Sequence, residues 1–418
     1  MLRGFLSAKV GKRILKNILT NQNQGGRQMK KIFNKKLILS ILSILCVLTL
    51  FGCTSKVKEE VKTGTDPLKG TNVEISYTDA FSIVDYGNDI KLVTDGENQK
   101  FLLVPEGEET PEIAEASGAE VIHTPLKNVV YCSSTQVSLL KPFFEEEDWN
   151  SISGVTTKAE KWYIDEVKTG MEKGDITFVG GDGMGEPDFE LIQSLNPDMV
   201  VVYTGENGQQ TTLAKMKELG IPCMVVNDYT ENDDMGRLEW TRFLATFYNK
   251  DKEAAQFMSE KEDMLKEIQA HVADKPSPKV VWASVYEGTV YVPNGGSYVA
   301  NQIEKAGGDY VFADLNQDKG SSTQLTLEEF YEKAKDADVF IYSTSNLYMP
   351  SIADLKAVSP LLKDFKSIKD ENVYCFTPSY YMNLDKTVEG VKDLAKIFHE
   401  DVYTDWQLQM YEKLPVQK

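Results

Sequence analysis

Two glutamates stand at matching places in two similar stretches of the chain. Glu190 lies near the start of EPDFELIQSLNPDMVVVY, residues 186–203, and Glu328 lies near the start of LTLEEFYEKAKDADVFIY, residues 325–342. Each stretch has a helical period followed by an apolar run, which predicts an acidic-headed helix and then a buried strand. Two separated carboxylates can fix the orientation of a partner that offers two basic sites. The alternative is that each glutamate only stabilises the first turn of its helix.

The residue patterns of common catalytic sites do not occur in the sequence. It contains no G-x-S-x-G, H-E-x-x-H or phosphate-loop motif. The Gly-rich loop VGGDGMGEPD, residues 179–188, lacks the Lys-Ser/Thr pair of a phosphate loop. Its carboxylates Asp182, Glu186 and Asp188 have no partner base or metal-ligand set, which favours a solvated turn. We therefore predict a protein that is not an enzyme and has no resident cofactor.

Histidine and cysteine do not form a metal-ligand pattern either. The three histidines are far apart in the sequence: His123, His271 and His399. Zinc and manganese sites need clustered ligands, so we predict no metal site, although haem ligation by His123 or by a tyrosine stays open. Three cysteines lie in or beside predicted strands, where a free thiol is a common core residue: Cys132, Cys223 and Cys375. One disulfide among them also stays open.

Strands alternate with helices in both halves of the chain, which indicates parallel α/β sheets. Between the halves, residues 237–272 repeat apolar positions every three and four residues without a proline. This pattern predicts a long helix, or two in line with a break near Asn249. We therefore predict an α/β protein of two Rossmann-like lobes joined by a single long helix, with the ligand cleft between the lobes. The predicted divisions are a signal region at 1–52, a tether at 53–72, an N-terminal lobe at 73–236, a linker helix at 237–273, a C-terminal lobe at 279–402 and a tail at 403–418.

The N-terminus has the composition of an export signal. Residues 29–52 combine four lysines with an apolar run at 37–50, which is too short for a comfortable membrane span. The following LFGC resembles the lipobox of bacterial lipoproteins, which implies lipidation of Cys53 and an extracytoplasmic protein anchored to the cell membrane. An uncleaved membrane anchor is the alternative, and either Met1 or Met29 can be the true start.

The remainder of the chain is strongly acidic. The first 52 residues hold ten of the 45 basic residues and no acidic residue, so the rest of the chain carries a net charge of −29. Such a body repels phosphate, which excludes non-specific nucleic-acid binding. The charge suits a basic partner surface or simply solubility.

Several segments together resemble one class of binding protein. DFELIQSLNPDMVVV, LAKMKELGIPCMVV, the helix at 237–272, YVANQIEKAGGDYVFAD, LTLEEF and ENVYCF occur in the order found in solute-binding lipoproteins of ferric siderophore, haem and cobalamin importers. The resemblance covers about residues 73–402. It implies a monomeric protein that binds one ligand between its lobes and delivers it to an ABC permease dimer with ATPase subunits.

The same resemblance assigns a role to the two glutamates. In this class, one glutamate on each lobe contacts arginines of the two permease subunits, and the matching positions here are Glu190 and Glu328. The spacing differs, because Glu190 lies eight residues before Asp198 whereas Glu328 lies ten residues before Asp338. Glu329 is therefore an alternative to Glu328.

Aromatic residues occur in loops that we expect to face the cleft. They are Trp162, Tyr163, Tyr286, Tyr291, Tyr298, Tyr348, Tyr380 and Tyr381. Flat rings suit a large, partly aromatic ligand, and packing within the lobes is the alternative for each ring. Trp162 and Tyr163 lie where the resembling proteins place aromatic residues that contact the ligand.

Arginine is scarce, and this constrains the ligand. After residue 27 only Arg237 and Arg242 remain, both on the predicted linker helix, so bidentate recognition of an anionic chelate is difficult. This favours a ferric siderophore-like molecule that is a neutral or cationic hydroxamate complex. Cobalamin or haem is the alternative ligand, and a surface sensor, an adhesin or a hydrolase is a less favoured function. The ligand's identity and the partner permease stay open.

Overall fold

Three β-sheets form the framework of the computed structural model, which describes residues 69–182, 185–205 and 208–417. The signal region, Cys53 and most of the predicted tether lie outside these residues. Of the tether, Thr71 and Asn72 belong to the first strand. None of the described helices is both long and apolar enough to span a membrane.

The first sheet comes before the parallel sheet of the N-terminal lobe in the chain, and it is largely antiparallel. Its fourth and fifth strands are parallel, because helix α1 (Ile113–Ser117) crosses between them. Alternation along the fourth strand buries Leu102 on one face of the sheet and Phe101 and Leu103 on the other. In chain order the strands are β1 (Thr71–Asn72), β2 (Ser82–Asp85), β3 (Lys91–Thr94), β4 (Lys100–Pro105) and β5 (Glu120–Thr124).

The second sheet is wholly parallel and has the order β10-β9-β6-β7-β8. Its interior strand β9 is MVVV, buried on both faces, as crossover helices require. The strands are β6 (Val129–Tyr131), β7 (Ile152–Val155), β8 (Thr177–Phe178), β9 (Met199–Val202) and β10 (Cys223–Val225). The helices are α2 (Ser134–Ser138), α3 (Asp165–Lys173), α4 (Phe189–Leu195) and α5 (Gln210–Leu219).

The connector is not the single long helix of the predicted architecture but two helices, α6 (Asp234–Thr246) and α7 (Asp251–Val272). They are separated near Asn249, which has a φ of 56°. Phe243 packs in the N-terminal core and Ile268 in the C-terminal core, so the connector belongs to both lobes. Such a connector permits only modest changes in the angle between the lobes.

The third sheet has the order β14-β12-β11-β15-β16-β17, and β13 pairs with β11. Its centre, β11-β15-β16, is parallel. The strands are β11 (Lys279–Tyr286), β12 (Thr289–Pro293), β13 (Asp309–Tyr310), β14 (Ser322–Leu325), β15 (Val339–Ser345), β16 (Val373–Phe376) and β17 (Tyr411–Lys413). The helices are α8 (Tyr298–Lys305), α9 (Leu327–Ala334), α10 (Ile352–Val358), α11 (Lys366–Lys369) and α12 (Thr387–Phe398).

The segment that we expected to be a C-terminal tail contributes a strand to this sheet. Strand β17 pairs antiparallel with β16, and the Tyr411 ring lies in the core 5.7 Å from Trp282. The buried carboxylate of Asp393 fixes the residues just before β17, because it accepts hydrogen bonds from the backbone N–H groups of Gln409 and Met410 at 2.7 Å. The predicted pattern of two α/β lobes joined by a helical connector is confirmed.

Candidate functional site

A cavity of about 830 Å³ lies between the two lobes. The N-terminal lobe contributes Gly205, Tyr229, Thr230 and Asn232, which follow the carboxyl ends of β9 and β10. The C-terminal lobe contributes residues at the carboxyl ends of β11, β15 and β16. Ligands of open α/β sheets bind at this edge, so the cavity is the candidate binding site.

Hydroxyl groups and aromatic rings dominate the wall of the cavity. The hydroxyl groups belong to Tyr229, Thr230, Ser284, Tyr291, Ser297, Tyr298, Ser321, Ser322, Ser343 and Tyr381. Trp282 and Phe376 add apolar ring surface, and Lys319 is the one charged side chain that lines the cavity among the described residues. This wall can hydrogen-bond to ligand oxygens and stack on flat ligand groups.

Three of the predicted ligand-binding residues line this cavity. Tyr291 lies on β12, Tyr298 is the first residue of α8, and Tyr381 lies in the turn after β16. Tyr381 is 59% exposed, so its ring is available to a ligand. The serines and Trp282 were missed, because their local sequence does not show that the fold brings them together at the cavity.

The other predicted aromatic residues lie elsewhere. Trp162 is only 3% exposed, packs in the N-terminal core, and donates its Nε1–H to the carbonyl oxygen of Thr157 at 3.0 Å. Tyr380 is buried and stacks on Phe376 at 3.8 Å between ring centroids. Neither residue lines the cavity.

Tyr163 and Tyr348 are exposed residues on opposite lobes. Tyr163 is half exposed, and its backbone N–H lies 3.3 Å from the sulfur of Met382 in the C-terminal lobe. Tyr348 is 80% exposed and lies close enough to Lys161 to contribute to the raised pKa of that lysine. The pKa of Lys161 is raised chiefly by its hydrogen bond to the Asp182 carboxylate. Ligand contact by Tyr163 and Tyr348 stays a prediction.

Arg237 is a feature of the site that sequence reasoning undervalued. It is buried at the start of the connector, and its guanidinium lies 4.3 Å from the centroid of the Tyr298 ring. Together they line a small cavity of about 20 Å³, to which Tyr381 also contributes. The Arg237 nitrogen Nη2 lies 3.6 Å from Asp228 Oδ2. The arginine therefore acts as a counter-charge behind the cavity wall.

Two buried carboxylates surround this arginine. Burial raises the pKa of Asp228 and of Asp234 to about 6, against the opposing effects of Arg237 on Asp228 and of Lys305 on Asp234. Lys305, on helix α8, lies 2.6 Å from Asp233 and 3.4 Å from Asp234. These contacts join the start of the connector to the C-terminal lobe.

A second junction joins the lobes through the segment that follows β16. The Lys141 ammonium of the N-terminal lobe lies 2.8 Å from Asp385 Oδ1 and 3.0 Å from Asn383 Oδ1. Leu384 donates its backbone N–H to the hydroxyl of Ser138 at 3.1 Å, and its side chain packs in the N-terminal core. The two lobes are therefore firmly joined on this side of the cavity.

The two glutamates occupy the same position on their helices. Glu190 is the second residue of α4, which is capped by Asp188, and Glu328 is the second residue of α9, which is capped by Thr326. Both are exposed. Since a crossover helix runs antiparallel to the strand that follows it, both lie at the edge of the sheets that forms the cavity.

The capping interaction distinguishes Glu328 from its neighbour. The Glu329 carboxylate accepts hydrogen bonds from the backbone N–H and the hydroxyl of Thr326, both at 2.8 Å, and its pKa is lowered by these bonds. Among the described contacts, the side chains of Glu190 and Glu328 have no hydrogen-bond or ion-pair partner. Glu328 is therefore the better match to Glu190.

The three described cysteines and the three histidines do not line the cavity. Cys132, Cys223 and Cys375 are free and buried, so no disulfide joins them. Their burial raises the pKa of the Cys132 and Cys375 thiols to about 12. In the described part of the chain, no three His, Cys, Asp or Glu side chains are grouped so that they could bind a metal ion. His123 lies on β5, away from the cavity.

Sequence comparison identifies the family. The model of the family described as Periplasmic binding protein matches residues 129–380. An uncharacterized lipoprotein of Methanocaldococcus jannaschii is 30% identical over 398 residues, which cover 88% of this chain and 94% of that protein. The chain belongs to the periplasmic binding protein family. A second lipoprotein of the same organism is 27% identical over 92% of this chain and 100% of its own.

Solved structures show the same fold in other periplasmic binding proteins. A periplasmic solute-binding protein from Veillonella parvula has a TM-score of 0.53 and 20% identity, covering 76% of this chain and 89% of its own. The periplasmic haem-binding protein HutB of Vibrio cholerae has a TM-score of 0.52 and 15% identity, covering 65% and 98%. These likenesses show a shared fold, and the family match shows that the protein is a periplasmic binding protein.

Proposed function

We propose that this periplasmic binding protein captures an iron–siderophore-type complex in the cavity between its lobes and delivers it to an ABC permease. The observation that carries the proposal is the wall of that cavity. Trp282 and Phe376 offer ring surfaces, and the surrounding hydroxyl groups can bond to the oxygens of a chelate. Such a wall suits a metal that arrives already coordinated by its own chelator.

The charge of the wall refines the expected ligand. Lys319 is its one charged side chain among the described residues, and Arg237 lies behind Tyr298. A hydroxamate complex of low charge needs no more than this, because hydroxyl groups can satisfy its oxygens. Haem is the second candidate ligand, because a phenolate can ligate haem iron and Tyr291, Tyr298 and Tyr381 line the cavity.

Delivery requires contacts outside the cavity. We propose that Glu190 and Glu328 bind the two subunits of the permease, because both are exposed at the cavity edge of their sheets, and neither has a partner in the described contacts. We further propose that lipidation of Cys53 holds a monomeric protein at the membrane. Residues 54–70 would then link the lipid to the folded lobes.

Native mass spectrometry of the full-length protein in detergent tests the binding step. The protein is mixed in turn with ferrioxamine B, ferric enterobactin, ferric citrate, haem and cobalamin. A mass increase equal to one intact iron–chelator complex supports the proposal. Binding of haem or cobalamin alone would transfer the function to that ligand, and binding of none of the five would contradict the proposed ligand class.

A further inference from the structure

The first sheet, which precedes the residues matched by the family model, packs against the edge strand β10 of the parallel N-terminal sheet. The turn between β3 and β4, residues 95–99, lies against strand β10. Asp95 Oδ2 accepts the backbone N–H of Val225 at 2.9 Å, and Gly96 donates its N–H to the Val225 carbonyl at 3.2 Å. Asp95 is 1% exposed and also accepts the backbone N–H groups of Glu97 and Gln99. The turn is therefore fixed in shape and in place.

Glu97, at the tip of this turn, contacts the residues behind the cavity wall. The Thr204 hydroxyl donates a hydrogen bond to Glu97 Oε1. Thr204 also donates its backbone N–H to Asn227 Oδ1 at 2.8 Å, and its hydroxyl accepts from Asn227 Nδ2 at 3.0 Å. The Tyr229 hydroxyl donates to the Thr204 carbonyl oxygen. Thr204 is thus the centre of a network that holds the loops after β9 and β10 together.

This network directly supports residues that form the cavity. Gly205 follows Thr204 in the chain, and both Gly205 and Tyr229 line the cavity. Farther along the second loop, the Asn232 carbonyl oxygen accepts a hydrogen bond from Asn301 Nδ2 of the C-terminal lobe at 2.5 Å. A change at Glu97 therefore reaches the wall of the cavity without contacting the ligand itself, since Glu97 does not line the cavity.

We propose that Glu97 is a positioning residue that sets the ligand affinity of the cavity by fixing its N-terminal wall through Thr204 and Asn227. The effect on affinity rests on the proposed function. The effect on the wall does not, because it follows from contacts present without a ligand.

Hydrogen–deuterium exchange of the full-length protein in detergent tests the positioning step. Glu97→Ala removes the acceptor of the Thr204 hydroxyl, whereas Glu97→Gln keeps an oxygen acceptor. Glu108→Ala is the matched control, because Glu108 is an exposed glutamate in the turn after β4 without a described side-chain partner. We expect Glu97→Ala to speed exchange roughly threefold to tenfold in peptides covering residues 199–205 and 223–232. The Gln variant and the control should stay within the wild-type range.

Affinity is then measured with whichever of the five probes named above binds the wild type. Glu97→Ala should weaken that affinity several-fold, with an unchanged thermal midpoint, and Glu97→Gln should restore it. Unchanged exchange in Glu97→Ala would overturn the proposal, and so would faster exchange with an unchanged dissociation constant. If no probe binds the wild type, the proposed function fails and the exchange result alone decides whether Glu97 positions the wall.

Discussion

Lys141→Met removes the ammonium group that joins the two lobes beside the cavity. In the wild type this group contacts Asp385 and Asn383, and the side chains of Lys141 and Asp385 are 24% and 12% exposed. The variant leaves the Asp385 carboxylate buried without its nearest cation. Breaking a fully buried ion pair costs about 3–5 kcal/mol, and an exposed pair contributes about 0.2–1 kcal/mol. Because this pair is partly exposed, we expect a loss of about 2 kcal/mol in the free energy of unfolding.

The loss should depend on pH. Burial already raises the pKa of Asp385, and Lys141 opposes that rise, so the variant will have a still higher pKa at Asp385. A carboxyl group whose pKa is raised on folding favours the folded state most below its unfolded pKa of about 3.9 and loses that contribution as pH rises through the folded pKa. The deficit of Lys141→Met should therefore be small near pH 4 and larger at pH 7.

Urea unfolding followed by tryptophan fluorescence measures this deficit. The comparison includes the wild type, Lys141→Met, the double variant Lys141→Met/Asp385→Asn, and Lys215→Met, in which an exposed ion pair with Glu218 is lost. We expect the double variant to recover part of the stability, because it holds no uncompensated charge, and Lys215→Met to resemble the wild type. An unfolding free energy of Lys141→Met within about 0.5 kcal/mol of the wild-type value at pH 7 would contradict the predicted loss.

Three further predictions concern docking, ligand contact and the C-terminal strand. Glu190→Lys combined with Glu328→Lys should leave ligand affinity intact but abolish ligand-dependent stimulation of the permease ATPase, whereas Glu332→Lys, one turn farther along α9, should not; full stimulation in the double variant would reject the docking role. Tyr381→Ala should weaken ligand binding several-fold, since an aromatic contact contributes about 1 kcal/mol, and titration of the probe that binds would show an unchanged dissociation constant if the contact is absent. Burial raises the pKa of Asp393 to about 6, so its protonation favours the folded state at low pH and this contribution is lost as pH rises through 6. Asp393→Asn should flatten the pH dependence of the unfolding free energy around pH 6, and an unchanged profile would contradict this role of Asp393.

Local patterns in the sequence were sufficient for the elements of the two lobes. The stretch containing Glu190 folds as α4 followed by β9, and the stretch containing Glu328 folds as α9 followed by β15. These elements have strong periodicity and clear helix caps, so their neighbours in the chain determine them. The break near Asn249 was predictable for the same reason.

The candidate site depended more on contacts between distant segments. Arg237 was correctly placed on the connector, but periodicity does not show that its guanidinium lies behind Tyr298. Trp162 was expected at the cleft, yet the structure buries its ring, because the Thr157 carbonyl satisfies the indole N–H. The contact between Glu97 and Thr204 joins residues 107 positions apart, which no local pattern reveals.

Fluorescence titration with an iron complex and with its iron-free chelator directly tests whether the cavity binds a ferric chelate. Trp282 lines the proposed cavity, so a bound complex should change the tryptophan emission of the full-length protein. We expect saturable quenching by one ferric complex with one-to-one stoichiometry, and little response to the same chelator without iron. Equal quenching by the iron-free chelator, or no saturable response to any ferric complex, would contradict it.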